Sequence, residues 1–151
     1  FSSAETVRVR LTVGSHMRPG QMVLESDGEP SRRAIYRFYR DVEPSGLDTV
    51  LLSLVDHLAT RGPMLDREHW RRHLSLSAVL VEAYYERREQ VIAPPIIIDG
   101  HDLMLSLNLA PGPEVGALLD NIREAQAAGE VHSRAEALAL AKELLAKGGR
   151  L

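Results

Sequence analysis

The chain has 151 residues, 44% of them hydrophobic and 26% charged, an ordinary balance for one folded domain or a domain with a small appendage. It has no cysteine, which excludes disulfides, thiolate metal sites and a thiol nucleophile, and no apolar run approaches the length needed to cross a bilayer. The net charge of −3 does not announce a nucleic-acid binder, but residues 1–95 hold 13 Arg and no Lys against 13 acids, while residues 96–151 hold 5 basic residues against 8 acids. Any RNA contact is therefore expected on a local Arg face. Aromatic residues make up 5%, and β-branched runs are scarce apart from Val91-Ile92 and Ile96-Ile97-Ile98, which favours helices. The chain opens on Phe1 with no charged-then-apolar leader. The expected origin is a cut from a longer polypeptide, and the expected setting is the cytoplasm.

In chain order, Ser2-Ser3-Ala4-Glu5 reads as a capping box, and a helix should follow to about His16 with Val9 and Val13 as its apolar stripe. Arg18-Pro19-Gly20 should end it. Residues 20–30 read as a polar loop with an apolar anchor at Met22-Val23-Leu24. Ser31 then starts a helix over Arg32 to about Asp41. At about 100° per residue Arg33, Arg37 and Arg40 share one face and Ala34, Ile35 and Phe38 the opposite one. Pro44-Ser45-Gly46 begins a third helix, in which Leu47, Val50, Leu51, Leu54 and Leu58 form the strongest periodicity in the chain. Asp66 caps a long helix to about Gln90, with Trp70, Leu74, Ser77, Val81 and Tyr84 on one side.

Ala93-Pro94-Pro95 is a rigid break and the expected joint between a helical domain over residues 1–93 and a small helical sub-domain over residues 94–151. Ile96-Ile97-Ile98 reads as an apolar plug entering the second. Asp99 caps a short helix to about Leu107, and Gly112-Pro113 opens another with Val115, Leu118, Leu119 and Ile122 inward and Gly129 at its end. Gly116 reads as a point of close approach for a neighbouring helix. Ser133-Arg134-Ala135-Glu136 is a second capping box, and Gly148-Gly149 should end the fold. The expectation is an all-α, irregular array of about seven helices joined by short Pro/Gly turns.

Three Arg on one side of a helix suit a phosphate backbone, so Arg33, Arg37 and Arg40 are the candidate RNA contacts. The alternative is a solvated face paired with Glu29, Asp41 or Glu43. Two further patterns are read as decoys. His101-Asp102 follows Gly100 at a helix start, where its role is capping. His69 and His73 are a turn apart, but Glu68 precedes the first His, so the H-E-x-x-H order fails and both are expected at the surface. At Pro111-Gly112-Pro113 a structural turn is favoured over a phosphate cradle. No sheet or paired metal-binding carboxylates are written here, so the chain alone is not expected to catalyse nucleotide transfer.

The stretch Ile96–Glu136 resembles the pattern G-x-D-L-M … P-G-P-x-x-G … L … I-x-E-A-Q-x-x-G of the helical C-terminal half of bacterial tRNA nucleotidyltransferases and related poly(A) polymerases. The segment Ala34–Gly62 is similar to that family's R-A-x-Y-R-F-x-R-D … G-L-D … L-L-S-L-A-D-x-L-A-T-R-G, and Val13–Pro19 to its V-x-x-H-M-R-P. Gly14-Ser15-His16-Met17 also equals a common vector-derived scar, but it lies inside this pattern and is read as native. The resemblance implies the end of an HD-type helical domain followed by an RNA-binding body, with tRNA or other RNA as partner. It implies a nucleotidyltransferase head in the parent chain that uses magnesium with ATP or CTP, and it leaves a homodimer open. It also implies metal-ligand positions in an intact parent: Asp56 matches the late Asp of the HD set, whose other ligands would lie upstream of Phe1, and His16 matches the second His of the family's frequent H-H-M-R-P, whose first His is Ser15 here. The alternatives are a remnant of a metal-dependent phosphohydrolase, or a structural or oligomer-forming helical domain. Whether a parent adds CCA, A or poly(A) is not written in these residues.

Overall fold

The computed structural model describes residues 2–25 and 29–148, with nothing said of the Glu25 and Gly148 side chains. The polar part of the expected loop at Ser26–Gly28 and the expected final Gly149 lie outside the described residues. Eight α-helices occupy them, and no strand is present among them: α1 (Ser3–Ser15), α2 (Arg18–Glu25), α3 (Arg32–Val42), α4 (Gly46–Arg61), α5 (Arg67–Glu86), α6 (Gly100–Leu107), α7 (Pro113–Ala128) and α8 (Arg134–Gly148). A 3₁₀ turn at Gly62–Met64 and a π turn at Arg88–Ile92 complete the chain.

Local chemistry starts most of these helices where the sequence says. The Ser2–Glu5 capping box forms in both directions, and the side chains of Ser31, Asp66 and Asp99 accept amide hydrogens of the following turn. Pro113 stands in the first turn of α7, where its missing N–H costs nothing, and Gly129 closes that helix in the left-handed region. The extra helix is α2. Arg18-Pro19-Gly20 starts it instead of stopping α1, because a proline in a first turn leaves no interior hydrogen bond to break. At α8 the box is displaced: Ser133 Oγ accepts from the Glu136 amide, but the Glu136 carboxylate takes the His132 amide.

Two hydrophobic clusters form. The first gathers Val23 of α2, Ile35, Phe38, Tyr39 and Val42 of α3, Val50 of α4, Leu76, Leu80 and Ala83 of α5, and Val91 and Ile92 of the π turn. The second gathers Ile98, Leu103 of α6, Val115, Leu118, Ile122 and Ala125 of α7, and Val131, Ala137 and Ala141. At the centre of the first, Tyr39 is fully buried, donates its hydroxyl to the Leu80 carbonyl at 2.7 Å and packs on the edge of Phe38. Burial drives its phenol pKa far up. The two clusters meet where α3 lies on α7.

Several sequence expectations change here. The α1 stripe of Val9 and Val13 is exposed, and α1 buries no residue completely. In α4 the buried side chains are Thr49, Val50 and Ser53, while Leu51 is 58% and Leu58 46% exposed. In α5 the inward row is His73, Leu76, Ser77, Leu80 and Ala83, so Leu74 faces out. Of the isoleucine plug only Ile98 is buried; Ile96 is exposed. Gly116 has open space where a Cβ would stand, so it carries no close approach. That role belongs to Gly46, whose Cβ would lie 2.5 Å from the Tyr39 ring.

Candidate functional site

The Arg33/Arg37/Arg40 row of α3 lies over the junction of the two clusters, and it converges on one carboxylate. Arg33 Nη1 reaches Glu124 Oε1 of α7 at 3.0 Å, Arg37 Nη2 reaches the same oxygen at 2.6 Å, and Arg40 Nη1 stands 3.5 Å from Oε2. Arg33 also donates to Glu130 at 2.6 Å, and Arg40 to Asp41 at 2.9 Å, which in turn accepts from Arg18 at 3.1 Å. Glu124 is the enclosed member, its side chain 10% exposed against 54% for Arg37. Its carboxyl is held below the usual range first by the Arg37 hydrogen bond, against the opposing effect of burial. The Arg37 guanidinium is raised by the same bond. Arg40 also lies 6.0 Å from the Tyr36 ring centroid.

Of the counter-ions expected for this face, Asp41 is engaged, whereas Glu43 is taken by Arg88 at 2.8 Å. Glu124 was not singled out from sequence. Apolar periodicity points to one inward face of α7, through Val115 and Ile122. At about 100° per residue Glu124 falls opposite Val115 and near Ala127. Both are buried, so α7 has a second covered side, which meets α3. The signal was a lone acid among alanines in Arg123-Glu124-Ala125-Gln126-Ala127-Ala128, where small side chains admit a neighbouring helix.

His16 and Asp56 also come together. His16 Nε2 is 4.0 Å from Asp56 Oδ2, on the wall of a pocket of about 270 Å³ that His57, His69, His73 and Ser53 also line. His16 Nδ1 is 2.7 Å from the Val13 carbonyl. His57 stacks on His69 at 5.1 Å between ring centroids and on Trp70 at 5.6 Å, and meets His73 edge-on at 5.2 Å. Burial, then the neighbouring His69 and Arg61 charges, lowers the His57 pKa. His73 corrects the surface reading: it is buried, its Nε2 lies 3.1 Å from Ser53 Oγ, and burial pushes its pKa down to about 4. Stacked rings present faces to one another, not lone pairs to a common point. Among the described residues no group of three His, Cys, Asp or Glu is placed to hold a metal ion, and His16 and Asp56 stand together as a pair.

The remaining candidates fall to structural roles. Asp102 completes the Asp99 cap and accepts from Arg134 at 2.6 Å, while His101 is exposed beside it. Gly112, extended and exposed, precedes Pro113, and Glu114 already occupies the first turn of α7.

This architecture defines an all-α module of two apolar clusters bridged by an arginine–carboxylate network. Comparison with known proteins supplies its kinship. Residues 84–141 match the family described as tRNA nucleotidyltransferase domain 2. The chain is 37% identical over 136 residues to an A-adding tRNA nucleotidyltransferase of Deinococcus radiodurans, covering 90% of this chain and 29% of the relative. It is 35% identical over 123 residues to a CC-adding tRNA nucleotidyltransferase of Thermus thermophilus (79% and 25%), and 32% identical over 108 residues to one of Geobacter sulfurreducens (72% and 22%). No solved structure matches significantly. The chain belongs to the bacterial tRNA nucleotidyltransferase family, and it spans less than a third of the length of the curated relatives it matches.

Proposed function

We propose that this chain is a tRNA-binding helical portion of a tRNA nucleotidyltransferase, with Arg33, Arg37 and Arg40 meeting the RNA backbone. The observation that carries the reading is the extent of the match: nine-tenths of the chain aligns with an A-adding enzyme while covering 29% of it. The arginine row supports it, because three guanidiniums at one helix face are spaced to follow phosphates and each remains partly exposed. Nucleotide addition would belong to the head of a longer chain, together with magnesium and ATP or CTP, because this chain matches only 29% of the length of the A-adding relative. On this reading residues 1–93 and 94–151 act as two helical sub-domains, the setting is the cytoplasm, and a homodimer is compatible. No helix among the described residues is long and apolar enough to cross a membrane.

The test is a tRNA gel shift with this chain at several salt concentrations. Phosphate contacts release counterions, so converting Arg33 and Arg37 to Ala should weaken binding of all RNA sequences and flatten the log–log salt slope by about 2. An unchanged slope in that variant would remove these residues from the interface. Absence of tRNA binding by the unaltered chain at low salt would overturn the function itself.

A further inference from the structure

Resting on that RNA-binding reading, we infer that Glu124 is a positioning residue which holds Arg37 and Arg40 as a pre-set phosphate-binding fork. The array is asymmetric in a way that a simple surface ion pair is not. One buried carboxylate on α7 faces three guanidiniums from α3, and each spends only one nitrogen on it. Arg33 spends its second terminal nitrogen on Glu130, so it is tied at both ends. Arg37 donates to Glu124 through Nη2 alone, and Arg40 uses Nε on Asp41 while Nη1 points to Glu124. A guanidinium carries five N–H donors. All three therefore keep N–H donors for a further anion; Arg37, held through one nitrogen, keeps the most, and Arg40 is held along its Nε edge. Tyr36, buried beneath Arg40, adds a ring on which that guanidinium rests.

Pinning matters because a free Arg side chain loses rotamer entropy when it is fixed. A side chain already fixed by the fold loses less when a phosphate arrives. Arg123, paired with Asp120 at 3.8 Å, borders the same strip beside Tyr36. Glu124 thus sits behind the strip as an inner anchor, too enclosed to meet RNA itself.

The inference gives a sign opposite to bulk electrostatics. Glu124→Gln removes one negative charge from a chain of net charge −3, which by long-range attraction alone tightens RNA binding. If Glu124 positions the fork, the same change weakens tRNA binding, by about tenfold at low salt, and reduces the salt slope by about 1. The accompanying signature is NMR of the arginine side-chain N–H groups: those of Arg37 and Arg40 are restrained in the unaltered chain and averaged in the variant. Equal or tighter binding by Glu124→Gln overturns the inference while leaving the RNA-binding reading intact. Failure of the unaltered chain to bind tRNA overturns both. Should Glu124→Gln not fold, Arg37→Lys decides: it keeps the charge but loses the planar fork, so weaker binding supports the inference and unchanged affinity overturns it.

Discussion

Arg37 Nη2 stands 2.6 Å from Glu124 Oε1, and this bond ties the helix at the centre of the first hydrophobic cluster to the helix at the centre of the second. The carboxylate is nearly enclosed and the guanidinium half exposed, so the pair lies between a surface ion pair of little worth and a buried one of high cost. Replacing Glu124 with Ala leaves three cations facing one another without their shared acid. The expected loss is about 2 kcal/mol of unfolding free energy, read from urea melts at neutral pH. The carboxyl pKa is depressed in the fold, so this stabilisation is fully present above its ordinary value of 4.5 and is lost as pH falls below it. In Glu124→Ala the acid limb of the stability curve should therefore be shallower.

His73 predicts a second pH window. Its folded pKa of about 4 lies below the ordinary 6.5, because the imidazole is buried between α4 and α5 and must stay neutral. Between those values the unfolded chain binds the proton and the folded one does not. Stability should therefore fall as pH drops from about 6.5 to about 4, by a limiting amount on the order of 3 kcal/mol. His73→Gln keeps a hydrogen-bonding group near Ser53 and removes the titration. Its unfolding free energy should be lower at pH 7 yet flatter across that window, and an equally steep curve would assign the slope to other groups.

Two glycines should respond in opposite directions to the same substitution. Gly46→Ala places a methyl 2.5 Å from the buried Tyr39 ring, which is held by its hydroxyl bond to Leu80 and cannot swing away. Overpacking of this kind costs about 1–3 kcal/mol. Gly116→Ala meets nothing within 4 Å and lies inside helix α7, where alanine is preferred by about 1 kcal/mol. Thermal melts of the two variants should therefore move to opposite sides of the unaltered chain.

Much of the fold could be read from the residues because it rests on local chemistry. The caps at Ser2, Ser31, Asp66 and Asp99, the Pro113 start and the Gly129 stop each act within a turn of the residue that carries them. What resisted reading was any property set by a distant partner. Pro19 reads as a stop, yet the same residue fits the first turn of α2. His73 looks like a surface residue beside Arg71 and Arg72 until α4 covers it. The arginine row was visible as a stripe, but its anchor lies 87 positions away in sequence, on a face of α7 that alanines disguise. Periodicity shows that a helix has faces and leaves open how many of them are covered.

Helix α4 makes that last point measurable. Its leucines recur at Leu47, Leu51, Leu54 and Leu58, the spacing of a buried seam, yet Leu51 and Leu58 stand open while Val50, just before Leu51 in sequence, is fully buried. Burial, not periodicity, sets the cost of a substitution, because apolar area already in water gains nothing from folding. Leu51→Gln and Leu58→Gln should each change the unfolding free energy by no more than about 0.5 kcal/mol. Val50→Ala removes two methyl groups from the first cluster and should cost about 2 kcal/mol through lost contacts and the space left behind. The three variants can be compared by urea denaturation at one pH. A loss in Leu51→Gln as large as that in Val50→Ala would mean that the outer face of α4 is covered in solution, and light scattering on the same samples would show whether a second copy covers it.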